Sequence, residues 1–375
     1  MGDLDMDTFS KKTTVSRREW LAHATRAGLG GAAIASVGLL ARASTVSAQA
    51  AAKTMAIAIW GGPFSAALRE ALVPEFEKDH GVKVVMEEGI SADAIAKVRT
   101  ARSNPQHTLI GVDDQFISEL KTEGLIVPVT PKDVPNMKDL FPEYVIEDGH
   151  GVGVAVSWSG LHYNTARVKT PITSWRAMWD PAFKGRVIIQ SFKAGTGILT
   201  LAMTAALATG KPAQQAQYEA EAAFPLYKQL RPHLHSIVDS TVTALPLLAQ
   251  GEAWLLPTPS RIAAAYTVKG APIARAEVKE GQPMLLNTVA LVKNAPLQEQ
   301  GRDFINRFLS AKVQLEMAKK GLTGPTNQKV EVPADLKKLV PVGREDAARM
   351  VRLDWKHVTK HRAQWVDWWN KEMAG

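Results

Sequence analysis

Residues 54–88, TMAIAIWGGPFSAALREALVPEFEKDHGVKVVMEE, constrain the fold more than any other stretch of the chain. An apolar run over 55–60 stops at Gly61, Gly62 and Pro63. Phe64, Ala67, Leu68, Ala71, Leu72 and Phe76 then recur at helical spacing, and Gly81 precedes a second apolar run over 82–86. The pattern predicts strand, glycine turn, helix, strand. Two buried strands joined by one helix form a right-handed parallel unit, whose ligand crevice lies off the carboxyl ends of the strands. Here that end is Trp60, Gly61 and Gly62. The glycines would let a ligand approach backbone N–H groups at the helix start, and the indole is either a flat apolar wall beside them or a core residue.

The 375 residues leave room for two domains, and an apolar fraction of 46% can fill two cores. Residues 1–50 differ in character. Lys11 and Lys12 precede Ser16, Arg17, Arg18, Glu19, Trp20 and Leu21, followed by a mildly apolar Ala/Gly-rich run over 28–41 and by Val46, Ser47 and Ala48. This is similar to a twin-arginine export signal with cleavage after Ala48 or Ala50, and the run is too short and too Gly/Ala-rich for a membrane anchor. With no cysteine in the chain, disulfides, thiolate chemistry and a lipidated cysteine are excluded. A free periplasmic protein is expected. Removing residues 1–48 changes the net charge only from +8 to +6. Those charges are scattered, which argues against nucleic acid as a partner.

After the opening unit, 92–103 has helical spacing and 108–112 reads as a strand ending at Asp113, Asp114 and Gln115. A helix over 116–123 follows, stopped by Gly124. Strand and helix alternate, which predicts a parallel sheet covered on both faces. Asp113 and Asp114, at a strand's carboxyl end, would hold a ligand cation or hydroxyls, or Asp114 would cap the next helix. Residues 151–164, GVGVAVSWSGLHYN, form a long extended run centred on Trp158 and Ser159.

The segment beginning at Thr173 and Ser174 contains WRAMWDPAFKGRV, Trp175 to Val187 in order. This resembles the SWxDLWDPxYKGKV signature of periplasmic solute-binding proteins of ABC importers, in the spermidine/putrescine and ferric-iron branch. Further matches, in the family's order, are the opening IxxWGG, EGLIVPV after the third strand, AQGEAWL over 249–255, VALVKNAP over 289–296 and GPTN over 324–327. The resemblance covers roughly residue 54 to the end. It implies an α/β, two-lobed periplasmic-binding-protein fold of type II. Each lobe would be a mostly parallel sheet flanked by helices, and two crossing hinge strands would join them. The extended runs over 153–164 and 285–293 suit those hinges. Lobe one would comprise 51–157 plus 286–327, and lobe two 158–285 plus 328–375. The family also implies a monomer that hands solute to an inner-membrane ABC permease, with no cofactor.

In lobe two, a strand over 187–190 leads through Ser191 to Thr196, Gly197 and an apolar helix. Ser191, Thr196 and the Gly197 amide at a helix start would receive an anion, or Thr196 would simply cap the helix. Trp254, Thr258, Ser260 and Arg261 lie in or beside a further strand-end loop. Arg261 would be a bidentate partner for a carboxylate or phosphonate, or a solvated charge. Polyamine binders of the family place acids just after the GKV strand and on the return strand beside a Trp. This chain has Gln190, Ser191, Phe192 and Lys193 at the first place and Leu285, Leu286 and Asn287 at the second. Two buried ammonium groups without carboxylate partners are costly to desolvate, so a zwitterion or anion is expected rather than spermidine. No GxSxG elbow, P-loop or HExxH is present, so an exported enzyme is the weaker reading. His357 and His361, four apart, lack a third metal ligand nearby in sequence, and Trp365, Trp368 and Trp369 read as a packed stripe on the last helix.

Overall fold

The computed structural model describes residues 53–373, so the expected export signal and its cleavage site lie outside the described residues. Eight strands carry the architecture: β1 (Lys53–Trp60), β2 (Val82–Gly89), β3 (His107–Asp113), β4 (Gly151–Asn164), β5 (Val187–Gln190), β6 (Leu234–Val238), β7 (Leu255–Pro259) and β8 (Gln282–Val292). They lie in the order β2-β1-β3-β8-β4-β7-β5-β6. β1 is parallel to β2 and β3, and β5 is parallel to β6 and β7. Between these parallel sets run β4 and β8. The first half of β4 pairs antiparallel with β8 and its second half antiparallel with β7, while β8 pairs antiparallel with β3. These are the two long apolar runs that the sequence marks as crossing strands, and the architecture is the two-lobed α/β fold.

The opening unit forms with one amendment. Helix Pro63–Ala71 stops at Leu72 and a second helix, Val73–His80, begins. Pro74 has no N–H to give and restricts Val73, so one continuous helix cannot form. Gly81 closes the second helix in the left-handed conformation at φ 60°.

Two large cores follow the two parallel sets. One gathers Ile57, Phe64, Phe76, Phe304 and Phe308 around β1. The other gathers Trp175, Phe192, Tyr227, Trp365 and Trp369 beside β5. The WDP signature has a local explanation in this second core. Asp180 accepts from the Ala182 amide at 2.9 Å and caps the turn Pro181–Phe183, while Trp179 donates to the Leu226 carbonyl at 2.8 Å. The last helix, Trp355–Glu372, lies on this core through Val358, Trp365 and Trp369, with Trp368 stacked on Phe224 at 3.8 Å. Among the described residues, no helix is long and apolar enough to cross a membrane.

Candidate functional site

The carboxyl ends of β1 and β3 face the start of the helix that follows β7, and the hinge strands form the floor between them. Asn287 on β8 is the register partner of Asp113 on β3. Its Nδ2 donates to Asp113 Oδ1 at 2.9 Å, and the Ser91 hydroxyl lies 3.2 Å from Oδ2. Burial pushes the Asp113 carboxyl up from its ordinary range, against the pull of the Arg261 charge and of its Ser91 and Asn287 partners. Arg261, at the start of helix Ser260–Thr267, sits with its guanidinium 6.0 Å from the Phe64 ring. Burial lowers its pKa and Asp113 opposes that. Among the described residues no ion pair joins Asp113 to Arg261, and Arg261 Nε has no partner.

Several polar atoms of this crevice are shut off from solvent without a hydrogen bond among the described residues: Gln115 Oε1, Ser157 Oγ, Asn287 Oδ1 and Arg261 Nε; Thr258 Oγ1, opposite Gly160 in the register of β4 and β7, and Ser260 Oγ, beside Trp158, are likewise unpartnered but lie on the other face of β4. An unmade hydrogen bond in a buried site costs about 1–3 kcal/mol per group. Such a concentration at strand ends, where α/β folds bind ligands, marks a place prepared for polar solute atoms. Ser157 and Ser159 occupy alternate positions of β4 and share its crevice-side face.

The remaining expected residues are placed as follows. Trp60 is buried edge-on against Phe64 at 5.2 Å as a member of the core around β1, the core reading of this residue. The Gly61 and Gly62 turn is occupied from within. Gly62, at φ 72°, precedes Pro63, and its amide bonds to the Glu88 carboxylate, which also accepts from Ser65 at 2.7 Å. A Cβ on Gly61 would lie 2.6 Å from Glu88 Oε2, so this helix start already holds an internal anion. Asp114 is buried, takes a hydrogen bond from the Trp355 side chain of the last helix and feels the Asp113 charge. It caps no helix by its side chain.

In the second sheet, the Ser191 hydroxyl bonds to Asp239. Gly197 is a close-approach residue: a Cβ there would fall 2.0 Å from the Ser191 carbonyl oxygen. Helix Gly195–Thr209 has no side-chain cap, and Thr196 is buried in its first turn. A Cβ on Gly195 would meet Gln115 Nε2 at 3.2 Å, so the two sides touch across the crevice here. Trp158 belongs to the other face of β4, with the Arg275 guanidinium 3.7 Å above its ring. Trp254 precedes β7, at the strand's opposite end, where it donates to the Gly251 carbonyl and meets Arg186 and Phe183. The residues that sequence reasoning missed are Ser91, Phe64, Ser157 and Glu88. For Ser157 the two-residue spacing from Ser159 was the available signal.

His357 and His361 lie with ring centroids 4.2 Å apart, and His361 bonds to the His357 carbonyl. Among the described residues no group of three His, Cys, Asp or Glu is placed to hold a metal.

Residues 71–342 match the family model of the bacterial extracellular solute-binding proteins. The chain belongs to that family. The spermidine/putrescine-binding periplasmic protein 1 of Haemophilus influenzae is 24% identical over 252 residues, covering 65% of this chain and 68% of that protein. Among solved structures, the periplasmic binding protein AfuA of Actinobacillus pleuropneumoniae, with exogenous fructose-6-phosphate bound, superposes with a TM-score of 0.68 at 22% identity. That match covers 86% of this chain and 99% of the other. The Atu4243–GABA receptor gives a TM-score of 0.71 at 18% identity, over 85% of this chain and 97% of the other. Both solved structures share the two-lobed fold.

Proposed function

We propose that this protein is the periplasmic solute-binding component of an ABC importer, and that its solute is a small zwitterion or anion such as an amino-carboxylate or aminophosphonate. The observation that carries this reading is the juxtaposition of Asp113 and Arg261, opposite charges that are half-buried yet unpaired with each other, among orphaned oxygens. A ligand ammonium would satisfy Asp113 and the ligand anion would satisfy Arg261. A named spermidine/putrescine binder among the relatives raises the polyamine alternative. Against it, the return strand offers Asn287 where an acid would be needed, and Arg261 would repel a polycation.

The same reading has the chain exported by the twin-arginine translocase, trimmed near Ala48, acting as a monomer without catalysis, and meeting an inner-membrane permease. Its lobes would divide at 157/158 and 285/286, with 328–375 assigned to lobe two. Packing of helix Trp355–Glu372 beside β5 supports that last assignment.

Calorimetric titration with ω-amino acids, aminophosphonates, sugar phosphates, putrescine and spermidine tests the ligand class. Arg261→Gln should weaken binding of the preferred solute by about 1.5–3 kcal/mol, the range for a charge-assisted hydrogen bond, and Asp113→Asn should do so only for solutes bearing an ammonium group. Tight spermidine binding that survives Arg261→Gln would overturn the charge assignment.

A further inference from the structure

Behind the crevice, on the face of β4 that carries Trp158, lies a cavity of about 640 Å³ bordered by Trp158, Ser260, Arg275, Lys337 and Lys338. A neighbouring cavity of about 480 Å³ shares Trp158 and Arg275 and reaches Gln282. Asp113, Arg261, Asn287 and Ser157 line neither. The first volume is that of an ordinary small-molecule site.

Three buried polar atoms on these walls have no partner among the described residues: Ser260 Oγ, Arg275 Nε and Gln282 Oε1. Ser260 is 3% exposed and Gln282 6%. The Arg275 guanidinium sits over the Trp158 ring at 3.7 Å, and its side chain is 13% exposed. Its one carboxylate partner, Glu277, is 78% exposed, so that acid can swing into solvent when a better-placed anion arrives. Lys337 and Lys338 stand exposed at the mouth and enter no ion pair among the described residues. Arg349, also on the wall, is paired with Glu345. Of the acids on the walls, Asp346 is engaged by the Val342 amide at 2.7 Å. Fixed, half-desolvated guanidinium, a buried hydroxyl and two free ammonium groups form a receptor for negatively charged oxygen.

We infer that this cavity is a second ligand site, separate from the transport crevice, that takes a small oxyanion of carboxylate or phosphate chemistry against Arg275, Ser260, Lys337 and Lys338. Occupancy replaces Glu277 on Arg275 and gives Ser260 the acceptor it lacks. The site does not depend on which solute the crevice carries.

The test is titration of the full chain with citrate and, separately, with inorganic phosphate at constant ionic strength, read by calorimetry and by Trp fluorescence. At least one anion should bind saturably. Glu277→Gln should tighten that binding about threefold or more, since it removes the competing carboxylate, and a gain of this kind cannot arise from misfolding. Lys337→Gln combined with Lys338→Gln, two exposed positions, should weaken it about fivefold or more, while Arg261→Gln should leave it within about twofold. The inference fails if neither anion saturates, if Glu277→Gln does not tighten, if the lysine pair has no effect, or if Arg261→Gln removes binding.

Discussion

The side-chain amide of Asn287 donates to Asp113 across 2.9 Å, although the two residues are 174 apart in the chain. They face each other in the register of β3 and β8, so the bond ties a crevice carboxylate to a hinge strand. Asn287 uses its side-chain donor on Asp113, and its Oδ1 is left without a partner among the described residues. The same strand pairs with β4, so the bond links a crevice carboxylate to both crossing strands.

Asn287→Ala should therefore cost about 1–3 kcal/mol of unfolding free energy, because it strips a partner from a half-buried acid. Urea denaturation at neutral pH measures it, with an unchanged slope expected. A loss under about 0.5 kcal/mol would place the bond among those that solvent replaces freely.

Asp114 predicts a pH dependence. Burial is the chief cause that lifts its carboxyl from 3.8 to about 7, helped by the Asp113 charge and opposed by the Trp355 side chain. A carboxyl raised in the folded state keeps its proton where the unfolded chain has lost it. Its stabilising contribution is thus complete below about pH 4 and is lost as pH rises through 7. The loss is on the order of 4 kcal/mol, at about 1.4 kcal/mol per pH unit of displacement. Asp114→Asn should abolish this decline, so wild type and variant should diverge between pH 4 and 7 in urea melts. Parallel curves would mean that Asp114 ionises freely.

Gly197→Ala should destabilise by about 1–3 kcal/mol or more, as overpacking does, because its Cβ would sit 2.0 Å from the Ser191 backbone oxygen. The helix would have to leave β5 to make room. Thermal melting of Gly197→Ala beside wild type is sufficient, and an unchanged midpoint would show that the helix start yields.

Much of the fold was legible because its signals are local. The β1 run, the glycine turn and the apolar spacing of Phe64, Leu68 and Phe76 predict one strand–helix unit, and the break before Pro74 is its one departure. The crevice was legible in position more than in direction. Every residue of β4 is buried, so the strand has no polar face from which to read whether Ser157 or Trp158 points at the solute. Trp254 sits in the right loop region by number but at the amino end of β7. Partners that arrive from far away carry no local signal: Glu88 fills the Gly62 amide site, and Trp355 reaches Asp114 from the last helix. Chain folding decides those contacts.

Closure of the crevice gives the last prediction. Gln115, beyond the end of β3, meets the backbone of Gly195 at the helix start beyond β5, leaving 3.2 Å for a Cβ. Glu147 also reaches Lys356 on the last helix at 3.1 Å. The salt bridge is weak support for the shut arrangement, since the lysine is 68% exposed and such pairs contribute about 0–1 kcal/mol. The glycine contact is steric and cannot be screened. Gly195→Val would place branched carbon against the Gln115 amide only when the two sides meet, and each side's own core would be untouched. It should therefore leave the unfolding free energy of the ligand-free protein in urea within about 1 kcal/mol of wild type while reducing affinity for the preferred solute about tenfold, or 1.4 kcal/mol. Small-angle scattering should show a larger radius of gyration in the variant than in wild type when both are saturated with that solute. Equal radii and equal affinity would mean that the contact at Gly195 plays no part in closure.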